Sequence, residues 1–595
     1  MRLSLLCAVS ALLMAACASP DSAPEPARGN AAETRVGSTS KPAGEWRLRG
    51  RAMAAAADRR AVEAALAAMN AGGSAVDAAI AAHAVLGLVE PQSSGLGGGG
   101  YMVVYDRASN ATTVYDARET APAAATPGLF NWDGKLLGFG PAIFSGKSVG
   151  APSTVALYKA VHDKHGKLPW GRDFEAAIKL ADEGFVVSPR LSQSLASARF
   201  QNGPLGKTPS SGAYFYPDGK PLPAGYLRKN ADYANVLRAV STEGPSAFYS
   251  GRIAGDIIAA VKGGDVPGDL SLKDLADYRV RVVPALCGPF KDYRICSAPP
   301  SSSGGVAMNL IMGLYGEIVA QPGADTDETR LRDFVLANQL AYADRDHYVA
   351  DPEQVTVPVA DLLDPAYIRS RAASGFRPGD KPAPGDPGAV VRGKPVVGMW
   401  GQDATSPQPG TTHLSFVDFE GNAVSFTATI ESGFGSSRWT NGFLLNNQLT
   451  DFSLAPTLNG LPVANAAGPG KRPRSSMSPT IVFDKNGEVF MVTGSPGGNS
   501  IVGYVAKTLV AVLDWGKTAQ EAASLPNVVA RGQTVRVETV DATGKAWART
   551  LTEAGFKVQE VSGEASGLHI IVARDKMLEG GADPRREGVA MESIR

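Results

Sequence analysis

Residue 410 divides this chain into two kinds of sequence. Residues 373–410 are rich in Pro, Gly and Asp and read as one long exposed loop. Past it, His413 to Asp418 alternates as a strand does. Any fold must therefore seat the end of a long loop directly against the start of a strand, at Gly410-Thr411-Thr412. The junction also has chemical content. A threonine hydroxyl is a weak nucleophile, but cutting the bond before it frees an α-amine on the same residue, which can act as its base. An α-amine has a pKa of about 7.7–8.0, so a usable fraction is neutral near pH 7. Gly410 offers little steric resistance to attack on its own carbonyl. The junction predicts a chain that cuts itself between Gly410 and Thr411 and then uses Thr411 as an amino-terminal nucleophile.

The rest of the composition suits a large catalytic body. At 595 residues the chain can form two or more ordinary domains or one intertwined one. Apolar residues make up 44% and charged residues 19%, which is a core-forming balance. Lys+Arg and Asp+Glu both number 58, so zero net charge argues against nucleic acid or an acidic membrane surface as the main partner.

The first residues read as a targeting segment. Arg2 precedes an apolar run, Leu3 to Met14, that is too short to span a bilayer. Small residues before Cys17 resemble a bacterial lipoprotein signal, in which Cys17 is lipidated. Met14 departs from the preferred residue of that pattern, which leaves a plain secretory signal open. A Pro/Ala/Ser/Glu-rich tether follows, too poor in apolar residues to fold. The expected organisation is a signal over 1–17, a tether over 18–47, a large piece over 48–410 and a small catalytic piece over 411–595. Export to the periplasm, with a possible lipid anchor, follows from this reading. Beyond the signal only Cys287 and Cys296 remain. A two-residue turn at Lys291-Asp292 would set them directly opposite each other in a non-hydrogen-bonded pair, where a disulfide is feasible.

Ala-rich helices are expected over Asp58–Asn70 and Ser74–Leu88, with a strand at Tyr101–Tyr105. Further helices are expected at Ser153–His165, Arg172–Glu183, Ser192–Ala198 and Arg330–Tyr348. After Thr411 come two hairpins, 412–417 with 423–429 and 478–483 with 489–493, and then a helix over 500–513. Sheets sandwiched between helices fit this order, an α+β fold to which both pieces contribute. Two motif matches mislead. Gly95-x-Gly97-x-x-Gly100 copies a dinucleotide fingerprint but runs into a strand instead of a helix. Gly146-Lys147-Ser148-Val149-Gly150 copies a nucleophile elbow without a nearby Asp–His pair. The six histidines show no metal-ligand spacing, so no metal or cofactor is expected.

Four further stretches share the logic of Thr411. Thr493-Gly494-Ser495-Pro496-Gly497-Gly498 ends a strand and opens a helix, where backbone N–H groups can meet a developing oxyanion. Arg474-Ser475-Ser476-Met477 supplies adjacent hydroxyls. Asn446-Asn447-Gln448-Leu449-Thr450-Asp451 supplies amides and a carboxylate. Arg118 can clamp a carboxylate in bidentate fashion. Hydroxyls and arginine suit an α-carboxylate, while Asp451 with Gln448 suits an α-ammonium.

With these stretches the chain resembles the gamma-glutamyltransferase (glutathione hydrolase) family from about residue 50 to its end. The resemblance rests on Val89-Glu90-Pro91-Gln92-Ser93-Ser94-Gly95-Leu96-Gly97-Gly98-Gly99-Gly100, Arg118-Glu119-Thr120-Ala121-Pro122, Pro299-Pro300-Ser301-Ser302-Ser303-Gly304-Gly305 and Thr411-Thr412-His413-Leu414-Ser415. It rests equally on Leu444-Leu445-Asn446-Asn447-Gln448, Lys471-Arg472-Pro473-Arg474-Ser475-Ser476-Met477-Ser478-Pro479-Thr480 and Gly494-Ser495-Pro496-Gly497-Gly498. It implies an amino-terminal-nucleophile αββα sandwich, autocatalytic cleavage before Thr411, a heterodimer of the two pieces, and attack by Thr411 on the γ-carbonyl of glutathione or a related small molecule. The acyl group then passes to water or to an amino acid or peptide acceptor. By position, Thr429 supports the Thr411 hydroxyl and Gly497 and Gly498 form the oxyanion hole. Arg118, Ser475 and Ser476 hold the α-carboxylate, and Gln448 and Asp451 hold the α-amine. Two departures stand out. Glu431 replaces the Asn common in the family and offers a second negative partner for the substrate ammonium. The lid segment between Asp451 and Ser475 is short and lacks the family's aromatic residue, which implies a more open pocket favouring hydrolysis. The competing readings are a superfamily acylase acting on glutaryl or cephalosporin-type side chains and an unprocessed, non-catalytic exported homologue.

Overall fold

A computed structural model describes residues 46–321, 325–401, 403, 405 and 410–595. Its centre is a seven-stranded antiparallel sheet in the order Val589–Ile594, Arg51–Ala56, Thr411–Val417, Ala423–Thr429, Gly99–Asp106, Ala111–Ala117 and Arg281–Pro284. A six-stranded antiparallel sheet lies against it, in the order Met577–Ala582, His569–Arg574, Val489–Thr493, Thr480–Phe483, Tyr293–Ser297 and Leu286–Phe290. Strands from both sides of Gly410 enter both sheets, so the two pieces share one core, and the described residues fall in one compact unit.

Alternation along the strands assigns each face. Leu414, Phe416, Val424, Phe426 and Ala428 pack with the helices Arg59–Asn70 and Ala75–Val89. The helix Ala75–Val89 is buried along its whole length, and its alanines permit close approach to the sheet. Asp58 caps the first helix, and Ser74 with Asp77 forms a capping box on the second. The helices Gly304–Val319, Asp327–Tyr348 and Ile501–Leu513 pack with the second sheet, completing an αββα sandwich.

The odd-numbered face of Thr411–Val417 turns into the seam between the sheets, and that seam is polar. His413 bonds Thr427 Oγ1 at 2.8 Å through Nδ1 and Ser415 Oγ at 3.1 Å through Nε2. Ser415 Oγ donates to the His569 carbonyl at 2.9 Å, and Ser425 Oγ donates to the Thr493 carbonyl at 2.9 Å. These bonds cross from one sheet to the other and fix their register near the site.

The expected disulfide is present. Cys287 pairs with Cys296 in register across the Lys291-Asp292 turn, with the Cα atoms 4.1 Å apart. Other expectations need correcting. The segment 373–410 is not one loop, since Pro387–Arg392 forms a helix capped by Asp386, and Val397–Met399 a 3-10 turn. The tether ends before residue 47, because Trp46 is buried in the core and Arg47 Nη2 donates to the Ala573 carbonyl at 2.7 Å. The helix placed at Ser192–Ala198 is two elements, Pro189–Leu195 and Ala198–Gln201, because Ser188 caps the first three residues earlier. Two glycines of the false dinucleotide fingerprint serve close packing: a Cβ on Gly97 would strike the Leu444 carbonyl, and one on Gly100 the Thr427 carbonyl. Ser148 is structural, its hydroxyl donating to the carbonyls of Ile143 and Ser145 at 2.8 Å each.

The buried seam carries a pH dependence. Burial, then the nearby Arg586 charge, pushes the His569 imidazole down to about 4. The folded chain therefore binds fewer protons than the unfolded chain between pH 6.5 and 4. The stability involved is fully present above pH 6.5 and is lost as pH falls through that window, by about 3 kcal/mol in all. In His569→Gln the urea midpoint is expected to fall less between pH 7 and pH 4.5 than in the unaltered chain.

Candidate active site

Register decides which threonine is presented. Thr411 pairs with Thr429 across the two central strands, and Thr412 pairs with Ala428 on the opposite face. Thr412 is wholly buried, whereas Thr411, at 4% exposure, lines a cleft of about 20 Å³. The walls of that cleft are Arg118, Thr411, Thr429, Glu431, Ser475, Ser476, Met477, Gly498 and Ile501.

The Thr429 hydroxyl sits at the centre of the uncut junction. It donates to the Gly410 carbonyl at 3.0 Å and lies 3.0 Å from the Thr411 hydroxyl. It also accepts the Glu431 backbone N–H at 2.8 Å. Its single proton goes to the Gly410 oxygen, so both acceptor positions are left for Glu431 and Thr411. The Thr411 hydroxyl is thereby oriented beside the peptide bond that a cut would break, and that bond's carbonyl is polarised.

The cluster around Arg118 is assembled from distant segments. Arg118 pairs with Asp451 and donates to the carbonyls of Pro473, at 3.1 Å, and Arg474, at 2.9 Å. Gln448 Nε2 donates to Asp451 Oδ2 at 2.8 Å. Gln448 and Asp451 thus join the cleft through Arg118, and Asp451 Oδ1 and Gln448 Oε1 are buried without a hydrogen-bond partner. Burial pushes the Asp451 carboxyl up against the opposing pull of Arg118. Ser475 Oγ accepts the Met477 N–H at 3.1 Å, and Ser476 Oγ donates to Asn499 Oδ1 at 3.0 Å.

Glycines 497 and 498 take φ values of 136° and 58°, which side chains rarely tolerate, as the chain turns into the helix Ile501–Leu513. Gly498 lines the cleft, and Gly497 lies one residue back against the Tyr504 ring. Glu431 also has a positive φ, 77°. Its carboxylate accepts from Ser432 Oγ and Asn447 Nδ2, each at 2.5 Å. The lid carries a small hairpin, Thr457–Leu458 with Leu461–Pro462, turning at Asn459-Gly460. The residues before the cut are tied across the site. Asp403 pairs with Arg474 at 2.7 Å, and the Thr405 carbonyl accepts from Asn499 at 3.1 Å and Arg531 at 3.0 Å.

Three residues here have no sequence signal. Arg345 is buried and donates to Ser476 Oγ and, at 2.9 Å, to Ser303 Oγ. Burial and the neighbouring Arg474 push it down to about 10. Asn499 bridges Ser476 and Thr405. Arg586 Nη1 donates to the Thr411 carbonyl at 2.9 Å, and burial followed by Arg190 pushes it down to about 9. Arg345 and Arg586 lie far along the chain from the other site residues and reach them only by folding, while Asn499 follows Gly498 in the same 3-10 turn.

A buried threonine at a strand's start, opposed by a second hydroxyl and set in an αββα sandwich, defines an amino-terminal-nucleophile hydrolase. The chain belongs to the gamma-glutamyltranspeptidase family, whose profile matches residues 61–593. It is similar to the glutathione hydrolase proenzyme of Escherichia coli, with 34% identity over 541 residues that cover 90% of each chain. The glutathione hydrolase proenzyme of Bacillus subtilis is 34% identical over 462 residues, 77% of each chain. Among solved structures, a cephalosporin acylase from Bacillus halodurans superposes with a TM-score of 0.78 at 25% identity, covering 96% of this chain and 98% of that one.

Thr429→Val keeps the shape and removes the hydroxyl. Cleavage at 410/411, followed by band intensity on denaturing gels, is expected to slow by at least about 100-fold, with Thr429→Ser within about tenfold of the unaltered chain. Arg586→Met leaves the Thr411 carbonyl unpaired and is expected to slow the same cleavage by about tenfold.

Proposed function

We propose that this protein is an autoprocessed gamma-glutamyltransferase and glutathione hydrolase. Cleavage between Gly410 and Thr411 leaves a large piece and a small piece as a heterodimer. The freed α-amine of Thr411 takes the proton from its own hydroxyl, and Oγ attacks the γ-carbonyl of a γ-glutamyl amide. Backbone N–H groups of Gly497 and Gly498 hold the oxyanion. The C–N bond then breaks, the amine leaves with the proton, and a γ-glutamyl ester remains on Thr411. Water or an acceptor amine attacks that ester by the reverse proton path. Arg118, Ser475 and Ser476, with Arg345 behind Ser476, receive the donor's α-carboxylate. Thr429 positions the nucleophile.

The observation that carries the choice of donor is the pair of unpartnered acceptors, Asp451 Oδ1 and Gln448 Oε1. Two buried acceptors beside a carboxylate suit the N–H groups of an α-ammonium. A glutaryl donor has none and would leave both unsatisfied, at roughly 1–3 kcal/mol each. The likeness to a cephalosporin acylase supports the rival reading. Rates on γ-glutamyl and glutaryl anilides separate the two. The γ-glutamyl substrate is expected to be faster by at least about 100-fold, and Asp451→Ala to remove that preference. Equal rates would sink the γ-glutamyl assignment.

Thr411→Ala is expected to leave a single uncut band and no turnover, because one hydroxyl serves both steps. Glu431 and the short lid bear on the acceptor: weak stimulation by glycylglycine is expected, and strong stimulation counts against a hydrolytic preference. Export of the enzyme is supported by its leader-like first residues and by the Cys287–Cys296 bond. Cys17 lies outside the described residues, and mass spectrometry of the mature amino terminus tests its lipidation.

A further inference from the structure

A second polar cluster lies apart from the residues that line the Thr411 cleft. Asp77 stands in the first turn of the helix Ala75–Val89, His162 in the last turn of Thr154–His165, and Asp173 in the 3-10 turn Trp170–Phe174. Their ligand-capable atoms lie within 4.8 Å of one another, and His162 Nε2 is 3.8 Å from both Asp77 Oδ1 and Asp173 Oδ2. His162 Nε2 donates to the Leu168 carbonyl at 2.9 Å, so a bound ion would take the place of that proton.

Asp173 is the independent observation. It is 1% exposed, and both of its carboxylate oxygens lack a hydrogen-bond partner. A buried carboxylate is ordinarily paired, hydrogen-bonded or bound to a metal. No side-chain cation fills that role. The Lys167 ammonium is engaged by Glu420 at 2.5 Å, and His162 is beyond hydrogen-bond reach of either carboxylate.

We propose that Asp77, His162 and Asp173, with the Leu168 carbonyl, bind a divalent transition-metal ion, zinc foremost. One imidazole with two carboxylates and a carbonyl suits an ion of borderline softness. Backbone donors hold Asp77 in place: its Oδ2 accepts the N–H groups of Ser74, at 2.7 Å, and Lys167, at 2.9 Å, while its Oδ1 accepts longer contacts from Lys167, at 3.3 Å, and Leu168, at 3.4 Å, and lies 3.8 Å from His162 Nε2. Tetrahedral zinc ligands about 2.0–2.2 Å from the ion lie about 3.3–3.6 Å from one another, so the two 3.8 Å separations from His162 Nε2 need close by only a few tenths of an ångström. The ion would tie the amino end of one core helix to the 166–174 segment that crosses it. Two independent elements are thus joined where the protein alone leaves the Asp173 carboxyl oxygens unpartnered. A single proton shared by the two carboxylates is the rival account.

The test uses the full chain, without a histidine tag, stripped with EDTA and titrated with zinc, manganese or calcium chloride while metal content and Tm are followed. The expected result is one zinc or manganese ion per chain, a Tm raised by several degrees, and proton release on binding. Asp173→Asn and His162→Gln are each expected to weaken binding by at least 100-fold and to abolish the Tm shift. Binding of calcium alone overturns the proposal, as does binding that survives in Asp173→Asn. It is equally overturned if no metal binds and Asp173→Asn is at least as stable as the unaltered chain. That last result is what a shared proton gives, because the asparagine N–H takes the proton's place.

Discussion

The in-register pairing of Thr411 with Thr429 is the contact on which the site depends. Strand side chains alternate with a period of two, so a slip of one residue would turn Thr412 into the seam and bury Thr411 beneath the helices. The register is held on both sides. Arg51–Ala56 flanks the first strand and Gly99–Asp106 the second, where glycine lets the backbone come close behind Thr429. The Ser415 and Ser425 bonds then lock this sheet against its partner, with His413 holding Ser415 and Thr427 within the first sheet.

Around that contact the cleft is small, about 20 Å³. Nearby, Asp403 pairs with Arg474, and Asn499 and Arg531 hold the Thr405 carbonyl. Asn499 also holds Ser476, so one amide side chain ties Thr405 to a hydroxyl of the cleft wall. The buried Arg118–Asp451 pair is poor value for stability, because desolvation offsets most of the Coulomb gain. Its use lies in preorganisation: a cation and an anion are held in fixed positions beside the Thr411 cleft.

Much of this was legible from residues alone because the informative pieces are local. Gly410-Thr411-Thr412, the Ser475-Ser476 pair and Gly497-Gly498 each present their chemistry within a few consecutive residues, and the structure brings Arg118, Thr411, Thr429, Glu431, Ser475, Ser476 and Gly498 to one cleft. The Cys287–Cys296 bond was readable because a two-residue turn fixes register by counting. The reading failed where composition stood in for contact. Residues 373–410 look like loop, yet Pro387 at the head of a helix is favourable and Asp386 caps it. Glu431 drew notice for its carboxylate, whereas its backbone N–H is what touches Thr429.

The sequence by itself determined the reactive pieces, their order, and the alternation that makes Thr411 the start of a strand. Those properties depend on neighbours within a few residues, where propensity, turn chemistry and nucleophile chemistry are written. Only the tertiary structure decided which cations stand behind Ser476 and the Thr411 carbonyl, that the clamp's free acceptors are buried, and that Asp77, His162 and Asp173 converge. Burial and electrostatic pairing are set by residues far apart along the chain, and no local pattern encodes what will be packed against a side chain once water is excluded.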